Sequence, residues 1–236
     1  MKIKFAFISK TGRRSNNEDY VKVIDKSDES RWLGVVCDGM GGHAMGEVAS
    51  KTVCNAICDY WERFTDEDLV VKARRACRSA SAKLDEFALG MNHVQMGTTL
   101  VMASIDGNTI TITHCGDSRC YLMRDKELVY QTKDHVGDSF GWEIVTKCFF
   151  SYKPEAAVPE IAQFPIQAGD RILICSDGLY KSIPPQILKA RMMDDKSPEE
   201  ILDVFDFLCE KSGDDNQREC RLKSANYPSD HTSKCE

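Results

Sequence analysis

No stretch of this chain approaches the roughly 18 uninterrupted apolar residues that a membrane-spanning helix needs, so none is expected. The N-terminus, Met1-Lys2-Ile3-Lys4-Phe5-Ala6-Phe7, also lacks an apolar run long enough for a secretory signal. These two absences make a cytoplasmic location and no membrane partner the default. A basic excess is missing as well. The net charge is −6, whereas nucleic-acid-binding domains carry clustered positive charge, so no nucleic-acid partner is expected. The densest basic cluster, Lys72 to Arg78, falls inside a helical pattern and reads as a solvated helix face. Among the 11 cysteines there is no Cys-x-x-Cys, the spacing most zinc sites need. They are odd in number and scattered, and several sit inside apolar runs (Cys37, Cys175), which favours reduced, mostly buried thiols over a disulfide framework. No internal repeat or low-complexity stretch occurs.

What is present describes a globular protein. With 236 residues, 42% hydrophobic and 29% charged, the chain suffices for one domain with a sizeable core. Ile3, Phe5 and Phe7 alternate with polar neighbours and predict a strand. Trp32 to Cys37 is a continuous apolar run ending at Asp38-Gly39, a buried strand with an acid at its end. Two helical periodicities follow, Ala49 to Phe64 and Leu69 to Met91. Asp106-Gly107 between Thr98–Ser104 and Thr109–Cys115 signals a hairpin, and a second is predicted around Arg124-Asp125-Lys126. Strands over 161–164 and 171–175 flank a turn at Ala168-Gly169. Ser197-Pro198-Glu199-Glu200 carries the cap, the first-turn proline and the acid three residues on that open a helix. The order of elements gives an α+β fold with antiparallel sheets. One domain over 1–216 and a polar tail over 217–236, expected to be disordered, complete the division.

Three aspartates share one context, directly after a predicted strand and close to glycine: Asp38 in Cys37-Asp38-Gly39, Asp117 in Gly116-Asp117-Ser118, and Asp177 in Ser176-Asp177-Gly178. Glu18-Asp19 and Asp214-Asp215-Asn216 lie in polar stretches. A single Asp-Gly is usually a turn. Recurrence at strand ends points instead to carboxylates converging on one sheet edge, where like charges need cations. All-oxygen ligands suit hard divalent ions, Mg²⁺ or Mn²⁺, rather than zinc.

Arg14-Ser15-Asn16-Asn17-Glu18-Asp19, Val36-Cys37-Asp38-Gly39-Met40-Gly41-Gly42-His43, Met96-Gly97-Thr98-Thr99, Gly116-Asp117-Ser118-Arg119, Cys175-Ser176-Asp177-Gly178-Leu179 and Asp215-Asn216 occur in that order. In this the chain resembles the metal-dependent protein phosphatases (PPM, phosphatase type 2C) in their compact bacterial form. The resemblance implies a four-layer α-β-β-α sandwich of two antiparallel sheets flanked by antiparallel helices. It implies hydrolysis of phosphoserine and phosphothreonine on phosphorylated protein substrates, a signalling role, and a centre of two Mn²⁺ or Mg²⁺ ions with room for a third, weaker one. By position, Asp38 matches the carboxylate bridging the two metals, and Gly39 lends its carbonyl to one. Asp177 and Asp215 match ligands of the first metal. Glu18 matches a residue reaching the second metal through water, and Asp19 one that orders metal-bound waters. Arg14 matches the phosphate-binding arginine. Asp117 matches the aspartate that shares a third metal with Asp177. A planar guanidinium grips two phosphate oxygens at once, which suits Arg14 to its role. No nucleophilic cysteine is required, and a monomer is expected.

Three departures stand out. Met40 occupies a position where many animal members carry a histidine assigned as general acid; methionine has no proton to give, so the leaving group would take it from metal-bound water, and the nearby His43 reads as a satisfied loop histidine rather than a substitute acid. The segment Val136 to Val158, where the family carries a flap, is short. The residues after Asn216 lack the apolar character of the family's final strand. The tail and the flap motivate one alternative, a pseudophosphatase acting as a regulatory binding module. A hydrolase of small phosphoesters is the other.

Overall fold

A run such as Trp32 to Cys37, apolar at every position, must be covered on both faces if it forms a strand, because successive side chains point to opposite sides. The computed structural model, which describes residues 3–11, 16–40, 45–65, 68–212 and 222–226, buries this run on both faces. β1 (Lys4–Ile8), β2 (Asp19–Lys26) and β3 (Arg31–Asp38) precede α1 (Gly46–Arg63) and α2 (Leu69–Gly90). β4 (Gly97–Thr98), β5 (Leu100–Asp106), β6 (Thr109–Cys115), β7 (Arg119–Arg124) and β8 (Glu127–Gln131) follow. Next come β9 (Val136–Ser139), β10 (Trp142–Val145), β11 (Phe149–Phe150), β12 (Glu160–Pro165) and β13 (Arg171–Cys175). α3 (Asp177–Ser182), α4 (Pro185–Met192) and α5 (Pro198–Lys211) lead to β14 (Leu222–Asn226).

Two five-stranded antiparallel sheets form the centre, ordered β1-β14-β13-β7-β8 and β12-β6-β5-β3-β2. Leu33, Val35 and Cys37 turn outward to α1 and α2, packing with Val53, Ile57, Ala76, Ala80 and Leu84. Trp32 and Val36 turn inward, where they meet Cys120, Leu122, Ile172 and Ile174 of the other sheet. That sheet's outer face, Tyr121, Met123, Leu173 and Cys175, is covered by Leu179, Leu188, Ile201 and Phe205 from α3, α4 and α5. The result is the expected α-β-β-α sandwich, with three apolar layers between four layers of secondary structure.

The expected strands, both hairpins, the two long helices and the capped helix are all present. Ser197 Oγ accepts from the Glu200 N–H at 3.3 Å and Glu200 Oε2 accepts from the Ser197 N–H at 2.8 Å, closing the capping box. β2 was not legible because it is an edge strand, with Lys22, Asp25 and Lys26 diluting its apolar residues. β12 and β13 do flank a turn, yet they lie in different sheets: β12 pairs β6 and β13 pairs β7 and β14, so this turn crosses the sandwich. The tail needs correction too. Residues 222–226, expected to be irregular, form β14 between β1 and β13. A ladder on both sides satisfies the backbone whatever the side-chain hydropathy, which is why a polar sequence can fill this position. Eight described cysteines are free and buried, as expected, whereas Cys209 on α5 is disulfide-bonded.

Ser197→Ala removes one partner of the capping box and is expected to cost about 1 kcal/mol of unfolding free energy, read as a lower urea midpoint with an unchanged slope.

Candidate metal centre

The antiparallel register of β2 and β3 sets Asp19 directly opposite Asp38. Asp117 follows the end of β6, and Asp177 opens α3 just beyond the end of β13. These strand ends bring four carboxylates together. Burial, followed by Asp19, Asp177 and Asp117, pushes the Asp38 carboxyl well above the usual carboxylate range. Asp117 is raised as well, by burial and then Asp177, with Lys181 acting in the opposite direction. Convergence, which no sequence can display, is thus visible as mutual repulsion.

Neighbouring residues fix this crowd in place. The Asp38 carbonyl accepts from Thr99 N–H at 2.9 Å and from Thr98 Oγ1 at 2.9 Å. Thr99 Oγ1 in turn accepts from the Asp38 N–H at 3.1 Å and lies 2.8 Å from Ser118 Oγ, beside Asp117. Ser176 Oγ donates to Asp19 Oδ2 at 3.0 Å, tying α3's cap to β2. Tyr180 Oη donates to Asp117 Oδ2 at 3.4 Å, and Lys181 Nζ to Asp177 Oδ2 at 2.9 Å. Thr98, Thr99, Ser176, Tyr180 and Lys181 had no assigned role in the sequence. The first three lie inside the quoted motifs, so a signal existed; Lys181 carried none beyond its spacing of four from Asp177.

Gly39 is a steric requirement. Its N–H donates to the Glu18 carbonyl at 3.0 Å, and a Cβ there would run into the carbonyl oxygens of Glu18 and Gly46. Ser50 Oγ donates to the same Glu18 carbonyl at 2.6 Å. The Glu18 carboxyl lies against Gly46 at the start of α1, where the helix dipole favours negative charge. Met40 N–H donates to Gly97 O at 3.1 Å and its methyl packs onto Gly97. Arg14, His43 and Asp215 lie outside the described residues.

Beside Asp117 stands a hairpin of β9 and β10, closed by Phe140-Gly141 with φ of 55° and 82°. Its base is pinned to the site: His135 N–H donates to Gly116 O at 3.0 Å, and Gly116 N–H donates to His135 Nδ1 at 3.1 Å. His114, His135 and Glu160 here offer ligand atoms within 4.8 Å of one another. Their geometry is that of a polar staple rather than a metal site. The two rings stack at 4.5 Å and 7°, so their in-plane lone pairs do not converge. The Lys147 ammonium also stands 3.1 Å from Glu160 Oε1 and 3.4 Å from His135 Nε2, where it competes with any ion. The Asp19, Asp38, Asp117 and Asp177 set offers only hard oxygen donors at excess negative charge, which fits Mn²⁺ or Mg²⁺.

The family model for Protein phosphatase 2C matches residues 9–225. The serine/threonine protein phosphatase PstP of Mycobacterium tuberculosis is 32% identical over 222 residues, 86% of this chain. The chain spans 41% of that relative's length. The serine/threonine phosphatase stp of Listeria welshimeri is 30% identical over 214 residues, covering 81% of this chain and 83% of that protein. A crystal structure of the PstP catalytic domain in complex with 2 manganese ions superposes with a TM-score of 0.79 at 28% identity, covering 95% of this chain and 97% of that one. The chain therefore belongs to the protein phosphatase 2C family.

The raised Asp38 carboxyl sets a stability prediction. Above the unfolded carboxylate pKa of about 3.9 the native state holds more protons than the unfolded one, so metal-free stability falls as pH rises through the folded pKa. Metal-free Asp38→Asn should outlast the wild type in urea, with a gap that widens from pH 4 upward; a gap independent of pH would contradict the repulsion.

Proposed function

We propose that this chain is a metal-dependent protein serine/threonine phosphatase that hydrolyses phosphoserine and phosphothreonine on protein substrates. One observation carries the reading: the convergence of Asp19, Asp38, Asp117 and Asp177 at paired strand ends within a phosphatase 2C fold. Asp38 would serve both divalent ions, and the Gly39 carbonyl one of them. Asp177 and Asp215 would hold the first, Glu18 would reach the second through water, and Asp19 would order metal-bound waters. The two manganese ions in the PstP catalytic domain support Mn²⁺ as a resident of this centre. Such ions, when bound, supply the Lewis acidity that activates water and neutralises the phosphoryl oxygens.

The protein's own groups contribute orientation. Three hydrogen bonds from and to Thr98 and Thr99 hold the Asp38 backbone, so its carboxylate does not have to be ordered during each turnover. Ser176 fixes Asp19 in the same way. Arg14 would clamp the substrate phosphate in a bidentate grip. The packed thioether of Met40 leaves no side-chain proton donor at that position. The pseudophosphatase alternative drew on the polar tail and the short flap, and β14 in the sheet speaks against the first of these. We further assign the catalytic unit to residues 1–216 together with β14, acting as a cytoplasmic monomer in phosphorylation signalling. Among the described residues no helix is long and apolar enough to cross a membrane.

Mn²⁺-dependent phosphate release from phosphothreonine peptides tests the activity. Asp38→Ala should lower kcat at least about 100-fold, beyond the 10–100-fold typical of a residue acting behind a metal ligand. Release by the wild type no faster than by Asp38→Ala at millimolar Mn²⁺ would refute the enzyme. Arg14→Ala should raise KM about 10-fold or more, the worth of a charge-assisted hydrogen bond to phosphate; an unchanged KM with normal turnover would remove Arg14 from the site.

A further inference from the structure

Lys181 follows Asp177 by four residues on α3, one helical turn, and so shares its face. Its Nζ donates to Asp177 Oδ2 at 2.9 Å and lies 4.0 Å from Asp117 Oδ2. The ammonium therefore stands between the two carboxylates that a third divalent ion would have to share. That same Asp117 oxygen accepts from Tyr180 Oη at 3.4 Å. Tyr180 is fixed in turn, its ring lying 3.5 Å from the Arg119 guanidinium, which forms a bidentate pair with Asp134 at 2.8 and 2.7 Å. The position of Lys181 is thus bounded by carboxylates on two sides and by a held aromatic ring beside it.

A divalent ion bonded to an oxygen of each carboxylate, at roughly 2.1 Å, would sit close enough to Nζ for strong repulsion between the two cations. A protonated lysine has three donors and no acceptor, so it cannot become a ligand itself. It neutralises the pair in a different way, as a hydrogen-bonded point charge. Nζ engages Oδ2 of Asp177, the one oxygen of that carboxylate this contact uses.

We propose that Lys181 is a built-in cation for the Asp117–Asp177 pair, a positioning residue that takes the place of the third divalent ion and holds Asp177 for the first. The inference rests on the phosphatase reading for the role of Asp177, but it concerns the number of ions bound and does not require turnover.

Equilibrium dialysis against Mn²⁺ up to about 10 mM reads that number in the wild type, Lys181→Met, Lys181→Arg and the double variant Asp117→Asn/Lys181→Met. Lys181→Met should bind one ion more than the wild type, and the double variant should lose it. Lys181→Arg, which keeps the charge, should match the wild type. Metal-free Lys181→Met should also melt at lower temperature than wild type or Lys181→Arg, with millimolar Mn²⁺ closing the gap. Equal ion numbers in wild type and Lys181→Met would overturn the proposal. So would a third ion in the wild type, a result available even if Lys181→Met fails to fold. Failure of the wild type to bind two ions would count against the phosphatase reading, whereas the difference between variants reads Lys181 alone.

Discussion

Repulsion among four carboxylates is the constraint around which this protein is arranged. Two like charges about 4 Å apart repel by about 4 kcal/mol at an effective dielectric of 20, several times the net worth of one hydrogen bond. A flexible loop would relieve the strain by moving apart. Here Asp19 and Asp38 face each other across a hydrogen-bonded ladder, and Asp117 and Asp177 leave strands buried on both faces. The sheet denies them the relaxed arrangement, so relief must come from protons, from cations or from Lys181. A cluster that is costly when empty is also one that binds divalent ions with little reorganisation.

The same logic explains the polar residues that surround the acids. Thr98, Thr99 and Ser118 are buried, and their hydroxyls find partners on Asp38 and on one another. Gly116, with φ of 123°, brings its backbone so close to Thr99 that a Cβ would collide with that side chain. The link between β6 and β7 can therefore lie directly beside β5, which sets the distance between Asp117 and Asp38. None of these residues performs chemistry. Each removes a degree of freedom from one that would.

Legibility in the sequence followed the physics of each element. β3 and β13 could be read because burial on both faces leaves a continuous apolar run, β5 and β6 because Asp106-Gly107 marks the turn between them, and α5 because its cap chemistry is local. β2 could not, since an edge strand carries charges that mask its period, and β14 could not, since its place depends on the ladders of β1 and β13. Whether the turn after β12 reverses within a sheet or crosses to the other is equally invisible, because both routes use the same glycine turn. For the site, Asp38, Asp117 and Asp177 were found by their shared position after strands. Convergence was expected at one sheet edge; that the acids instead come from both sheets was not legible, because it depends on register and pairing between residues far apart in sequence.

The ligand-type residues come from both sheets, and this makes the core between the sheets part of the site. Asp19 and Asp38 belong to one sheet, Asp177 to the end of the other, and Asp117 to the link that joins them. What separates the sheets is a layer built from Trp32, Val36, Val101, Ile112, Leu122 and Ile174, among others, nearly all fully buried. Interiors are packed to the density of organic crystals, so the thickness of this layer is not adjustable by solvent or by side-chain drift. The spacing of Asp38 and Asp177 is therefore set by the sizes of apolar side chains that never touch the substrate. Hydrogen bonds such as that from Ser176 to Asp19, which crosses from one sheet to the other, trim this spacing but do not determine it. On this view the sandwich is more than a scaffold on which an acidic loop has been mounted. It is the gauge that fixes how far apart the charges stand, and hence which cations the centre can hold.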